Sequence, residues 1–366
     1  MKVVGHDVTS SKLELPPLKP LEVTDLTSEF LHSTAKRIIE ATWRAGLPQW
    51  SWGEGVYLLS EIRFYEVSNS SVSKRLIDWI TGHELITSGH INNVAPGAVA
   101  ARLDALELLD TREICDSLQS WVMDDRHSSR ASNGAVEHWP DSVWADTCYM
   151  MGSFLLNQGA AKKDHSLIEF VGDQISKHFE ILQNADTKLC AHGSHRGETI
   201  WNYWGRGNAW MALASVEFLD ACNSLSIKPT CYKSLMSALE NQLKALILLL
   251  PEYGIWDVLV DHQVENRGIL ETSATAGIGA AMIRAAKFLP EIADDLISTG
   301  RRAAAAALTY VDSEGVLTRT SAGTVLQLIP FGYSVIRSDR LQLWGQGLAL
   351  NAITALLDSN FDYYSI

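Results

Sequence analysis

The 366-residue chain is 46% hydrophobic and 20% charged, a balance normal for a globular protein and wrong for a disordered one. Its formal charge of −13, with no basic stripe anywhere, excludes nonspecific nucleic-acid binding, which needs clustered cations against phosphate. No run approaches the roughly 18 uncharged apolar residues of a membrane span.

Residues 1–25 carry Pro16, Pro17 and Pro20 without helical period and read as an extended lead-in lacking the apolar core of a signal peptide. The five cysteines have no C-x-x-C spacing, so neither a disulfide framework nor a structural zinc site is indicated, and a cytoplasmic setting is expected. From residue 26 onward apolar residues recur at i, i+3, i+4 and i+7. SEFLHSTAKRIIEATWRAG reads as a helix capped near Ser28 and ended by Gly46. Further helical windows fall at 54–67, 72–85, 97–110, 112–125, 142–158, 164–183, 206–223, 230–249, 272–288, 291–309 and 343–357. VLVDHQV and GTVLQLIP are the best strand-like runs. About twelve helices without a linker suggest six helical hairpins, one roughly every 60 residues. Periodicity alone leaves open whether they close into a ring or stack as an open superhelix.

Several segments carry candidate chemistry. QWSWGEGVYLL sets Trp50 and Trp52 before two glycines at a helix start. GHINNVAPGAVAARL puts Asn92 and Asn93 before a helix opened by Pro96, either as caps or facing a cavity. In DSVWADTCYMMGSFLL, Pro140 and Asp141 mark a helix start with Asp146 one turn inside it. A carboxylate amid Trp144, Tyr149 and Met150 is desolvated, so it holds a proton near neutrality, as a general acid must; hydrogen bonding to a neighbouring loop is the alternative. CAHGSHRGETIW contributes His192 and His195, too poorly spaced in a turn for a metal site and better suited to a sugar hydroxyl or to tuning a carboxylate. His138 reaches the same helix start. WNYWGRGNAW sets Trp204 in a loop, with Arg206 and Trp210 sharing a helix face. A guanidinium between two indoles either forks onto a ligand carboxylate or seals a helix end by cation–π contact. The 12 tryptophans, roughly twice ordinary usage, suit either carbohydrate platforms or large helical cores. No P-loop, G-x-G-x-x-G or G-x-S-x-G motif is present.

In order, WSWGEGVYL, HINNVAPG, VWADTCYM, AHGS, WGRGNAW, GIWDVLVD, ETSATAG and WGQGLAL resemble the unsaturated glucuronyl and rhamnogalacturonyl hydrolases of glycoside hydrolase families 88 and 105, the second most of all. The resemblance spans nearly the whole chain and implies an all-α (α/α)₆ barrel over residues 26–366. It also implies hydration of the C4=C5 double bond of an unsaturated uronic acid at the non-reducing end of lyase-generated oligosaccharides, most readily pectic ones. Asp146 matches the aspartate that protonates C4 and then deprotonates the water adding at C5. Trp52, His138, His192, Trp204, Arg206 and Trp210 match the pocket wall, and no metal or cofactor is implied. The sequence departs from many relatives by Asn92 in place of a second aspartate, by a short loop between His192 and Trp204, and by Val258 in place of a polar residue.

Two other readings stand beside this one. A conventional inverting glycosidase needs a second carboxylate roughly 6.5–9.5 Å from the first, with Asp257, Asp261 or Glu198 available. A non-catalytic oligosaccharide-binding scaffold needs none. The substrate partner is an oligosaccharide in every case, and oligomeric state is left open.

Overall fold

The computed structural model describes residues 16–83 and 90–365. Among these, twelve helices of nine or more residues account for most of the chain. They are α1 (Ser28–Ala45), α2 (Trp52–Val67), α3 (Lys74–Gly82), α4 (Pro96–Ala105), α5 (Arg112–Met123), α6 (Ala145–Lys162), α7 (His165–Leu182), α8 (Gly205–Ser224), α9 (Tyr232–Leu249), α10 (Thr272–Ala285), α11 (Ala293–Leu308) and α13 (Leu343–Leu357). A single-turn helix, α12 (Phe331–Ser334), precedes the last.

Burial divides them into two kinds. Every residue of α10 is buried, as is α6 from Ala145 to Ala160 and α8 from Gly205 to Cys222. A helix apolar on all sides has no face for water and belongs inside. By contrast, α1 buries one stripe, Leu31, Thr34, Ala35, Ile38, Ile39, Ala41 and Thr42, and turns charged residues outward. The inner helices pack in the circuit α2–α4–α6–α8–α10–α13, and α13 returns to α2. The ring is closed, so the open stack is excluded and the fold is the all-α six-hairpin barrel. Outside it, α1 packs on α13, α5 on α4, α7 on α6, α9 on α8 and α11 on α10. Trp79 secures α3 by donating to the Leu47 carbonyl (2.9 Å) and stacking on Trp50 (5.6 Å).

Inner and outer helices alternate along the chain, so all six inner helices run the same way and their N-termini meet at one end. Close approach there needs glycine. A Cβ on Gly55 would sit 2.6 Å from the backbone of Ala95 and Pro96, where α2 meets the start of α4. At the opposite end the barrel interior is filled by charge. Arg63 of α2 forks onto Glu217 of α8, Arg284 of α10 bridges Glu217 and Asp220 (2.7 and 2.6 Å), and the Tyr364 hydroxyl donates to Glu217. Both guanidinium groups lie over the Tyr363 ring, at 5.0 and 4.3 Å.

Several expectations shift. The window at 72–85 ends at Gly82, its last two residues lying outside the described residues, and 97–110 ends at Ala105. Neither VLVDHQV nor GTVLQLIP forms a strand; the first turns at Val260–His262 (His262 φ 56°) after Leu259 bridges Trp204, and the second is an irregular loop whose Gln327 carbonyl accepts from Asn202. The two strands among the described residues, β1 (Gly193–His195) and β2 (Glu198–Ile200), form a hairpin around Arg196 and Gly197. Both turn residues have φ near the left-handed region (50° and 81°), as a tight two-residue hairpin requires. Of the proline-rich lead-in, residues 16–22 have no regular secondary structure and are tied to the barrel by Leu18 and Leu21, whose N–H groups donate to Tyr310 and Thr309, while Val23–Asp25 form a 3₁₀ turn where an extended run was expected; residues 1–15 lie outside the described residues.

Candidate active site

Helix α6 begins at Ala145, four residues later than Asp141 suggested. The intervening chain is held in extended pairing, which opposes an earlier helix. Ala145 N–H donates to His192 O (2.9 Å), Ser194 N–H to Val143 O (2.8 Å) and the Ser142 hydroxyl to Ser194 O (2.7 Å). Asp141 itself has φ +65°, in a left-handed turn. Asp146 therefore sits in the first turn of α6, not one turn inside, and the same pairing brings His192 beside it. A Cβ on Gly193 would meet the Trp144 ring at 2.7 Å, so glycine permits the approach. Asn208 of α8 fastens this segment from the other side, accepting from Cys190 N–H (3.0 Å) and donating to Cys190 O (2.9 Å).

Asp146 is only 8% exposed. Burial raises its pKa to about 7, against the opposing pull of the Arg206 charge, its own backbone N–H and the Trp210 indole. Desolvation thus outweighs a helix N-terminus and a neighbouring cation. His192 Nε2 lies 3.6 Å from Asp146 Oδ2, while His192 Nδ1 is 2.7 Å from the Tyr333 hydroxyl. Burial keeps the His192 ring neutral, far below its usual pKa.

Rings form a continuous arc around this carboxyl group. Trp52 stacks on Trp344 (4.2 Å), and Arg206 lies over Trp344 (5.5 Å) and Trp204 (4.4 Å). His192 follows against Trp204 (4.2 Å) and Trp144 (5.2 Å), and His138 stacks flat on Trp144 (4.6 Å). His138 also meets the Thr147 hydroxyl through Nδ1 (3.1 Å), and burial depresses its pKa to about 3. Deeper in, Trp210 stacks on Tyr149 (4.9 Å).

The indoles flanking Arg206 are Trp204 and Trp344, rather than the Trp210 that shares its helix. Its guanidinium is fully buried and mostly committed within the protein. Nη1 donates to the Ser321 hydroxyl (2.8 Å), Ser321 O (3.1 Å) and Ser273 (3.2 Å) and faces Glu271 (3.4 Å); Nη2 donates to Ala322 O (2.9 Å) and Thr324 (3.1 Å). Of the two roles the sequence left open, the cation–π contact is present, with Trp204 and Trp344, and the fork itself is mostly spent on the 321–324 loop. Arg206 Nε and Trp204 Nε1 have no partner among the described residues, while His192 Nε2 and Trp210 Nε1 face only the Asp146 carboxyl group, beyond full hydrogen-bond contact. An unpaired buried polar group costs about 1–3 kcal/mol, so several gathered around one carboxyl group mark a site built for a ligand rich in oxygen.

Other candidates lie elsewhere. Asn92 is half-buried in a 3₁₀ turn, Ile91–Val94, its N–H bonded to His90. Neither asparagine caps α4, whose cap position is Ala95, because that turn intervenes; Asn93 instead exchanges two bonds with Trp50. His195 and Glu198 are exposed on the hairpin. The Asp257 carboxylate is engaged by Tyr253 and His262 (both 3.3 Å). Val258 is buried and its carbonyl accepts the Gly205 N–H (2.9 Å), so a backbone contact is made where relatives often have a polar side chain. Trp344, Glu271 and Tyr333 were not singled out from sequence; the first two lie in WGQGLAL and ETSATAG, while Tyr333 stands in a stretch with no period.

The closed six-hairpin ring thus holds a buried, proton-holding carboxyl group under an arc of indoles and imidazoles. The family model described as Glycosyl Hydrolase Family 88 matches residues 25–359. The chain belongs to that family, the unsaturated uronyl hydrolases of families 88 and 105, and is a glycoside hydrolase. Among curated proteins it is 27% identical over 353 residues to the unsaturated rhamnogalacturonyl hydrolase YesR of Bacillus subtilis, covering 92% of this chain and 97% of that protein. A crystal structure described as a possible family 105 member from Salmonella enterica superposes with a TM-score of 0.79 at 21% identity, over 95% of this chain and 97% of that one. The unsaturated glucuronyl hydrolase of Bacillus sp. GL1 superposes with a TM-score of 0.68 at 15% identity, over 92% and 98%. No helix among the described residues is long and apolar enough to cross a membrane.

Proposed function

We propose that this chain, acting as one barrel over residues 26–366, removes the terminal 4,5-unsaturated uronic acid residue from lyase-generated oligosaccharides of the pectic rhamnogalacturonan type. The substrate preference is supported by the likeness to YesR. The observation that carries the chemistry is Asp146, a buried carboxyl group with a pKa raised to about 7 among unpaired donors.

Protonated Asp146 delivers its proton to C4 of the enol ether, and positive charge develops at C5 and the ring oxygen. The carboxylate left behind then takes a proton from the water that adds at C5. The resulting hemiketal opens, and the bond to the leaving sugar breaks. One group serves as acid and then base, so its pKa must lie near the working pH. Trp204 offers an N–H donor to hydroxyl or carboxylate oxygens, the Trp210 indole and the His192 ring face the Asp146 carboxyl group, and Trp52 and His138 extend the flat wall. Arg206 contributes its field and the orientation of two indoles. Asn92 stands in for an acid at the rim, which suits a single-carboxylate reaction. The conventional inverting reading is disfavoured because Asp257 and Asp261 are engaged by their own neighbours, Asp261 accepting from Gln263 (2.6 Å), and Glu198 faces solvent. Five cysteines without disulfides suit a reducing compartment, and a cytoplasmic location follows in this proposal.

The test is a panel of lyase-treated rhamnogalacturonan, homogalacturonan, glycosaminoglycan and ulvan, followed by loss of the ultraviolet absorbance of the conjugated double bond. Rhamnogalacturonan fragments are expected to turn over best, and Asp146→Asn to abolish the loss while retaining the fold. Undiminished turnover by that variant removes Asp146 from the mechanism.

A further inference from the structure

Tyr333 lies in α12, within the loop segment that runs from Thr318 to Gln342, far from every sequence motif of the site. The segment is tied to the site at three places: Arg206 holds Ser321–Thr324, Asn202 donates to Gln327 O (2.8 Å) and Asn266 to Pro330 O (2.9 Å). These ties set Tyr333 against His192, and both side chains are fully buried.

The hydrogen bonds at Tyr333 have a direction. Its phenolic oxygen accepts the Gln327 N–H (3.4 Å), and its O–H has His192 Nδ1 (2.7 Å) as its one acceptor among the described residues. Burial holds the phenol in its protonated form. If the phenol donates, Nδ1 accepts, and a neutral imidazole must then carry its proton on Nε2. Nε2 is the nitrogen that faces Asp146 Oδ2 at 3.6 Å.

We infer that Tyr333 is a positioning residue that locks His192 as the Nε2–H tautomer and so keeps the Asp146 proton available to substrate. The inference rests on the reading of Asp146 as the acid. In the opposite tautomer an Nε2 lone pair would face Oδ2 and accept the carboxyl O–H, drawing the proton away from C4. With Nε2–H in place, the ring cannot accept that proton, and once Asp146 has delivered it the N–H stabilises the new carboxylate. Arg206 and Trp210 act on the same carboxylate from α8, and neither can impose a tautomer on His192.

The experiment uses the full chain without ligand and reads ¹⁵N shifts of His192, assigned with His192→Gln. The wild type is expected to show Nε2–H alone. Tyr333→Phe, which keeps the ring, is expected to give a mixture of tautomers and to lower kcat by roughly ten- to a hundredfold, with KM nearly unchanged. Its alkaline limb should move to higher pH, because an accepting Nε2 favours the protonated carboxyl group. 3-Fluorotyrosine at position 333, retaining the O–H donor, should restore all three. An unchanged ¹⁵N spectrum in Tyr333→Phe overturns the inference, as does unchanged kcat. Failure of the acid assignment is a separate result, seen as turnover by Asp146→Asn, and it leaves the ¹⁵N result standing.

Discussion

Glu271 lies against Arg206 in a fully buried ion pair, Oε2 to Nη1 at 3.4 Å, and shares Ser321 with it. The pair fastens the first turn of α8 to the 321–324 loop across the mouth of the barrel. Removing one member of a buried pair strands the other charge. Glu271→Gln is therefore expected to lower stability by about 3–5 kcal/mol, measured by urea unfolding. Arg206→Lys should lose nearly as much, because an ammonium cannot reach acceptors on both edges of a planar fork.

The raised pKa of Asp146 makes two measurable statements. The catalytic form is protonated, so kcat/KM should be flat below about pH 7 and fall tenfold per pH unit above it. Stability carries the same sign. The unfolded chain loses this proton near the ordinary carboxylate range and the folded chain near 7, so stability drains away as pH rises between the two. Asp146→Asn removes that penalty. The variant should melt higher than the wild type at pH 8, by on the order of 4 kcal/mol at most, with little gain at pH 4.

Trp344 faces both Trp52 and the Arg206 guanidinium. Trp344→Leu opens one side of the cation and leaves the Trp52 ring without its stacking partner. A desolvated cation–π contact is worth about 2 kcal/mol, so KM should rise roughly tenfold or more while kcat changes less. Initial-rate kinetics on the preferred unsaturated disaccharide separates the two effects.

Burial alone would lift the Glu217 pKa, yet Arg284 and Arg63 overcome it and hold the carboxylate down to about 2. The stabilisation is present above the ordinary glutamate range and is lost as pH falls toward 2. The depression corresponds to roughly 3 kcal/mol. Glu217→Gln should therefore remove much of the acid sensitivity below pH 4.5, and at pH 7 it should be strongly destabilised. Thermal melts across that range check both.

Much of this was legible in the chain itself. Inner helices declare themselves by apolar residues on every face, and outer ones by a single stripe, because only the inner set is surrounded by protein. Asp146, His192, Trp204 and Arg206 stand in short motifs whose residue types are chemically unusual, and the barrel brings these four together. What sequence could not reveal was their partners. The acceptors that occupy Arg206 lie 65 to 118 residues away, and Tyr333 is 141 residues from His192. Such pairings are made by ring closure and by a loop without periodicity, so local pattern holds no trace of them. The early helix start at Asp141 failed for a related reason: pairing with the distant 192–194 segment outcompeted local helix formation.

The Arg63–Glu217–Arg284 layer with the Tyr363 and Tyr364 rings stoppers the barrel at its far end. In the proposed reaction a ligand therefore reaches Asp146 from the other end, where the N-termini of the inner helices meet, and leaves by that end. In that reaction a fragment is cut once, because the sugar end exposed by the cut carries no C4=C5 bond.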